Sequence, residues 1–249
     1  MTFSLIAREP ETGHLGVAVA SRFFAVGATI PFITPFGAIA SQALVNPVWG
    51  VEGGKLLAAG DFPETVLKTL KSKDSGRHQR QVHLMTADGQ SAGFTGSECI
   101  DWAGHKTAEN ISVAGNMLAG ERVLEDMLSC YLDTKSVPFA ERLLLAMEAG
   151  EAAGGDKRGR QSASLTIHRG EAFPWLDLRC DDDAQPLIEI RRLLNVAGER
   201  YIHFTEMMGS SANFSGHADR SRIEALIKAG EEAREAENKP SASRQFERP

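Results

Sequence analysis

Strand-like and helix-like segments follow one another in blocks along this chain, and that order restricts its fold more than any other feature. Phe3–Ala7 and Leu15–Ala20 flank the turn composition Glu9-Pro10-Glu11-Thr12-Gly13, the pattern of a β-hairpin. Two further apolar runs, Ala25–Ile33 and Phe36–Ala40, are expected as strands, with Pro31 and Pro35 as interruptions that a central strand does not easily hold. Asn46-Pro47 then starts a helix over Val48–Ala59, because asparagine caps well and proline suits the first turn. Its Gly50, Gly53 and Gly54 cost helix propensity but permit close approach of a neighbour. A second helix is expected over Pro63–Lys71, with Val66, Leu67 and Leu70 on one face. Strands return at Gln81–Thr86 and Ser91–Thr95 around the hairpin signal Asp88-Gly89, and at Ile111–Ala114, which ends at Gly115-Asn116. Helical periodicity covers Leu118–Leu132 and Val137–Ala149; strands Ser162–His168 and Trp175–Leu178 and a helix over Pro186–Val196 complete the pattern. Four strands, two helices, three strands, two helices, two strands and a helix describe α+β layers and argue against alternating βαβ units.

Beyond that point the character changes. Gly209–Asn213 reads as a linker, Arg222–Glu237 as a charged helix with a thin stripe of Ile223, Leu226 and Ile227, and the last dozen residues as disordered. The expected division is a domain over 1–205 and an appendage over 206–249.

Composition narrows the function. A formal net charge of -6 and a pI near 5.7 give no broad basic field for a phosphate backbone, so nucleic-acid binding is disfavoured. No apolar run approaches the roughly 18 residues of a membrane span, and the N-terminus lacks a secretory pattern, so the chain is expected in the cytoplasm. Cys99, Cys130 and Cys180 are odd in number and widely spaced, which suits a reducing compartment and gives no structural zinc site. The seven histidines lack metal-binding spacing, so no metal is expected. Neither a Walker motif nor G-x-G-x-x-G is present, and no nucleotide cofactor is expected.

The stretches MTFSLIAREPETGHLGVAVASRF, SQALVNPVWG, CIDWAGH, GNMLAG and AGGDKRGRQSA carry a resemblance. Over residues 1 to about 205 the chain resembles a bacterial family of unknown function grouped with the N-terminal-nucleophile hydrolases, whose members include proteasome β-subunits. The resemblance implies a four-layer αββα sandwich and amide-bond hydrolysis. In such enzymes the first residue of the mature chain supplies a hydroxyl or thiol, and its own α-amine, with an ordinary pKa of about 7.7–8.0, accepts the proton. Removal of Met1 gives Thr2 both roles. The plain alternative is that threonine simply opens an edge strand. The chain departs from the proteasome pattern: the stretch that would carry an aspartate before a Ser-Arg pair is Val19-Ala20-Ser21-Arg22, and Gly27–Ile33 contains no lysine.

In GGDKRGRQSAS the resemblance assigns Asp156 and Ser162 to support of the nucleophile. Arg158 and Arg160 are fixed cations suited to an acidic substrate group, although a solvated helix-to-strand loop would contain the same residues. Asn116 is expected either to cap the following helix or, with nearby backbone N–H groups, to hold an oxyanion. Gln42, in the turn Ser41-Gln42 to Asn46, offers a donor and an acceptor. His105, beside Asp101 and Trp102, is either a substrate contact or a satisfied structural histidine. The expected function is thus hydrolysis of a small amide or peptide bearing a carboxylate. The competing expectation is a binding or assembly protein that keeps the sandwich without catalysis. Either is expected to self-associate.

Overall fold

Thr2, Ser4 and Ile6 point to one side of the first strand (β1, Thr2–Arg8) and Phe3, Leu5 and Ala7 to the other, and all six are buried. A strand buried on both faces needs a layer on each side. Both layers are present in the computed structural model, which describes residues 2–205, 207–216 and 220–238.

The chain continues through β2 (Leu15–Ser21), β3 (Pro31–Thr34), β4 (Gly37–Ala43), helices α1 (Pro47–Ala58) and α2 (Pro63–Lys73), and strands β5 (Arg80–Thr86), β6 (Ser91–Thr95), β7 (Gly104–Ala108) and β8 (Ile111–Asn116). Helices α3 (Arg122–Asp133) and α4 (Phe139–Ala152), strands β9 (Ser162–His168) and β10 (Leu176–Cys180), and helix α5 (Pro186–Val196) follow. A six-stranded sheet has the order β10-β9-β2-β1-β8-β7 and a four-stranded sheet the order β3-β4-β5-β6; every pairing is antiparallel. The sheets pack face to face, α1 and α2 cover the smaller and α3 and α4 the larger. This is the four-layer αββα sandwich.

Its layers are held by apolar contacts. Between the sheets lie Ile6, Val17, Val19, Val26, Ile30, Ala38, Ala40 and Met85. Under α1 and α2 lie Ile39, Trp49, Leu57, Val66, Leu67, Leu70 and Leu84. Asn46 caps α1 as expected, its Oδ1 accepting from Val48 N at 3.1 Å. The glycines of α1 do bring a neighbour close: a Cβ built on Gly50 would lie 2.1 Å from the Phe32 ring, and one on Gly53 2.6 Å from Ile39.

Three expectations are corrected. Ala25–Ile33 is not a continuous strand: Ala25 takes φ 51°, Val26–Ala28 forms a 3-10 turn, and only Pro31–Thr34 is extended. The strand Gly104–Ala108 was not expected, since GHKTA lacks apolar alternation and gains its place by pairing with β8. Helix α3 begins at Arg122 and not Leu118, because the amides of Leu118 and Ala119 donate to Trp102 and Gly155 carbonyls and hold that stretch in a loop.

By its contacts the chain forms two units, Met1–Arg192 and Leu193–Pro249. Within the second, a π-helical turn (Ala197–Tyr201) and a short helix α6 (Ile202–Thr205) precede the long helix α7 (Arg220–Asn238), which packs on the π turn. Ile223 is buried there, and Leu226 and Ile227 are half-buried. Residues 239–249, where disorder was expected, lie outside the described residues. Among the described residues no helix is long and apolar enough to cross a membrane.

Candidate functional site

At one end of the larger sheet four polar residues stand in a row on adjacent strands. Ser162 on β9 is in register with Ser21 on β2, Thr2 on β1 is in register with Asn116 on β8, and the Thr2 Oγ1 donates to Ser21 Oγ at 3.3 Å. All four are buried. Neighbours in register on antiparallel strands share a face, so this row lies at the mouth of the space between the two sheets.

Ser162 and Asp156 both hold the chain that leaves β2. Ser162 Oγ donates to the Phe23 carbonyl and accepts from Val26 N at 3.1 Å. Asp156 accepts from Arg22 N at 2.8 Å and from Arg158 N at 2.9 Å, and the Arg158 guanidinium folds back on the same carboxylate at 3.3 Å. The loop that presents Asp156 turns at Gly154, Gly155 and Gly159, each at positive φ, a conformation that favours glycine. Lys157 Nζ ties the loop to the Asp101 carbonyl at 2.7 Å.

Asn116 does not cap α3; that helix starts six residues later, without a side-chain cap, and the Asn116 amide turns inward. Its Nδ2 donates to Gln81 Oε1 at 3.0 Å, and Gln42 Nε2 donates to the same oxygen at 2.8 Å. Gln81 Nε2 in turn has three acceptors for its two protons, Thr95 Oγ1 and the carbonyls of Gly104 and Gly115, at 2.7–2.9 Å. From Gln42 the chain of bonds continues: Ser4 Oγ donates to Gln42 Oε1 at 2.7 Å, and His83 Nε2 and Nδ1 lie 2.9 Å from Ser4 Oγ and Ser112 Oγ. Since the only hydroxyl proton of Ser4 goes to Gln42, His83 carries its proton on Nε2 and accepts from Ser112. Burial, with a smaller contribution from His105, pushes the His83 pKa down to about 3. The imidazole is neutral at physiological pH.

His105 reaches the same network from the outside. Its Nδ1 is 2.9 Å from Thr95 Oγ1, its ring lies against Gly93, and burial lowers its pKa. The structure therefore joins Gln42, Asn116 and His105 through Gln81, and gathers Thr2 and Ser162 around Ser21. Sequence reading missed Ser4, Ser21, Gln81, His83 and Ser112. A signal was present in β5, where polar Gln81 and His83 alternate with apolar Val82 and Leu84.

Two cavities open near the row, one lined in part by Ser21 and the other by Asn116, and Thr2 lines neither. One of about 700 Å³ lies on the Ser21 side, lined by Phe3, Ser21, Arg22, Glu151, Asp156, Lys157 and Arg160. Arg160 pairs with Glu151 at 3.1 Å, and burial raises the Glu151 pKa against the opposing pull of Arg160. The other, of about 400 Å³, lies on the Asn116 side. Among the described residues no group of three histidine, cysteine, aspartate or glutamate side chains is placed to hold a metal ion.

The model of the family of unknown function DUF1028 matches residues 2–190. The chain belongs to this family. Protein SPO2555 from Silicibacter pomeroyi, a DUF1028 protein of known crystal structure, is 32% identical, with a TM-score of 0.82 over 88% of this chain and 96% of that one. Anbu (ancestral beta-subunit) from Yersinia bercovieri is similar at 10% identity and a TM-score of 0.39, over 79% of this chain and 94% of that one. No curated protein matches the chain. Residues Thr2, Gln42, Asn116, Asp156 and Ser162 all fall within the DUF1028 match, whereas the whole second unit lies beyond it.

Proposed function

We propose that this DUF1028 protein is an amidohydrolase of the N-terminal-nucleophile type, acting in the cytoplasm on a small amide or peptide. The observation that carries the reading is the position of the Thr2 hydroxyl, at the start of a central strand and bonded to Ser21, between Ser21, which lines the larger cavity, and Asn116, which lines the smaller. Once Met1 is removed, the α-amine accepts the hydroxyl proton as Oγ1 attacks the amide carbon. The carbonyl oxygen becomes an oxyanion held by the second N–H of Asn116 Nδ2, whose first is engaged by Gln81. The amine then passes its proton to the leaving nitrogen, and water releases the acyl group from Thr2. Asp156 and Ser162 act one step removed: by holding Arg22, Phe23 and Val26 they fix Ser21 against Thr2, and so are positioning residues. Arg160 and Lys157 supply positive charge for an acidic substrate group in the larger cavity.

One observation favours the second reading, a binding protein without catalysis. Asp156 and Ser162 are engaged with backbone, and among the described residues the Thr2 hydroxyl bonds a side chain only at Ser21, with no charged partner. The test is the intact mass and N-terminal sequence of untagged protein, followed by a screen of amides and trapping with a hydroxyl-directed β-lactone. Loss of Met1, labelling at Thr2 and turnover that disappears in Thr2→Ala support the amidohydrolase. Retention of Met1 on untagged protein rules it out.

A further inference from the structure

Two features converge on the smaller cavity. Its lining includes Ala43, Leu44, Cys99, Ile100 and Met117, with Asn116 at its edge, so its surface is mainly apolar. Ala43 and Met117 both hold positive φ, 70° and 53°, at the ends of β4 and β8. Non-glycine residues seldom adopt that conformation, and where the surrounding structure maintains it they cluster at ligand sites. Glu98, the carboxylate at the rim, is held by Gln79 Nε2 at 3.0 Å. Leu44 and Ile100 are 57% and 58% exposed, although each is large and apolar. An apolar hollow with exposed apolar walls beside a polar row suits the tail of a ligand whose polar end lies on that row.

Taking the amidohydrolase reading as its basis, we infer that this cavity receives the acyl chain of an N-acyl amino acid. Asn116 sets the direction. It borders the smaller cavity, and in the mechanism above it holds the carbonyl oxygen, so the acyl chain extends into that cavity. The leaving amine, carrying a carboxylate, lies on the Ser21 side of Thr2 and points round the end of the sheet towards Lys157 and Arg160. The cavities are close neighbours, since Lys157 N donates to the Met117 carbonyl at 3.4 Å. The bond broken is the amide C–N; the acyl group passes to Thr2 Oγ1 and then to water, and the amino acid leaves with the proton from the α-amine.

The experiment separates binding from turnover. Calorimetry on the Thr2→Ala chain compares N-hexanoylglycine with N-acetylglycine, and mass spectrometry follows alkylation of Cys99 by iodoacetamide with each present. Burial of the additional methylenes is expected to tighten N-hexanoylglycine by about 10-fold or more and to slow Cys99 alkylation. Leu44→Asp and Ile100→Asp, both at exposed positions, are expected to abolish that preference while N-acetylglycine binds as before. Equal affinity for the two probes, or no protection of Cys99, overturns the acyl pocket, even if the wild-type chain hydrolyses amides. A clear preference with Cys99 protection, in a chain that turns over neither compound, keeps the pocket and removes the hydrolase reading.

Discussion

The Nε2 of His83 lies 2.9 Å from the hydroxyl oxygen of Ser4, with both side chains wholly buried between the two sheets. A sandwich interior usually closes with apolar side chains, yet here a run of hydrogen bonds links Ser112, His83, Ser4, Gln42, Gln81 and Asn116. Such a network stabilises only if each member is satisfied, because an unpaired buried group costs more than a made bond contributes.

The first prediction concerns pH. Burial lowers the His83 pKa from its ordinary 6.5 to about 3 in the folded protein. Between those values the unfolded chain binds a proton that the folded one refuses, so stability falls as pH drops from 6.5 towards 3. The slope from one such group is about 1.4 kcal/mol per pH unit at most. Urea unfolding of wild type and His83→Gln at pH 7 and pH 4 should show the variant losing less stability over that interval. Equal losses would show that His83 does not resist protonation.

A second prediction concerns Gln81, which is fully buried and bonds both Gln42 and Asn116. Gln81→Leu keeps the approximate volume but leaves the Gln42 and Asn116 amides and the Gly115 carbonyl without their partner. At about 1–3 kcal/mol for each unsatisfied group, and with some relaxation, the variant should lose about 2–5 kcal/mol in denaturant unfolding. Hydrolysis, if present, should fall further than stability explains, since Asn116 would no longer be oriented.

Helix α1 supplies a third. Alanine is the better helix former by about 1 kcal/mol, so propensity alone favours Gly50→Ala. A Cβ there would lie 2.1 Å from the ring of Phe32 on β3, and overpacking costs about 1–3 kcal/mol. The contact should outweigh the propensity. Gly50→Ala is therefore expected to lower the melting temperature, and the double variant with Phe32→Leu to recover part of the loss.

These cases mark how far the sequence could be read. The block order of elements survives in the sandwich, and Asn46-Pro47 caps α1, because caps and periodicity are local. Asn116 was legible as a polar residue at a strand end but not as a partner of Gln81, since their bond depends on the two sheets packing face to face. His83 escaped notice for the same reason: a polar residue alternating in a strand reads as solvent-facing until a second sheet covers it. Strand β7 was missed because GHKTA has no apolar pattern and depends on pairing with β8. The Gly154–Arg160 segment was legible through its glycines and charges, yet which backbone groups Asp156 would hold could be known only from the fold.

The last prediction follows from Asp156, whose carboxylate accepts from Arg22 N at 2.8 Å at the end of the strand that carries Ser21. Asp156→Ala leaves that N–H without its partner, and the loss should be about 1–3 kcal/mol. Asp156→Asn keeps an oxygen acceptor for one of the two backbone amides but forfeits the charge that draws Arg158. It should therefore retain more stability than Asp156→Ala. If Asp156 acts by fixing Ser21 against Thr2, hydrolysis in the asparagine variant should fall mainly in kcat, with its pH dependence unchanged. A catalytic proton on Asp156 would instead remove the acid limb of the pH profile. Measuring kcat, KM and unfolding in both variants distinguishes a residue that holds the strand end from one that takes part in the chemistry.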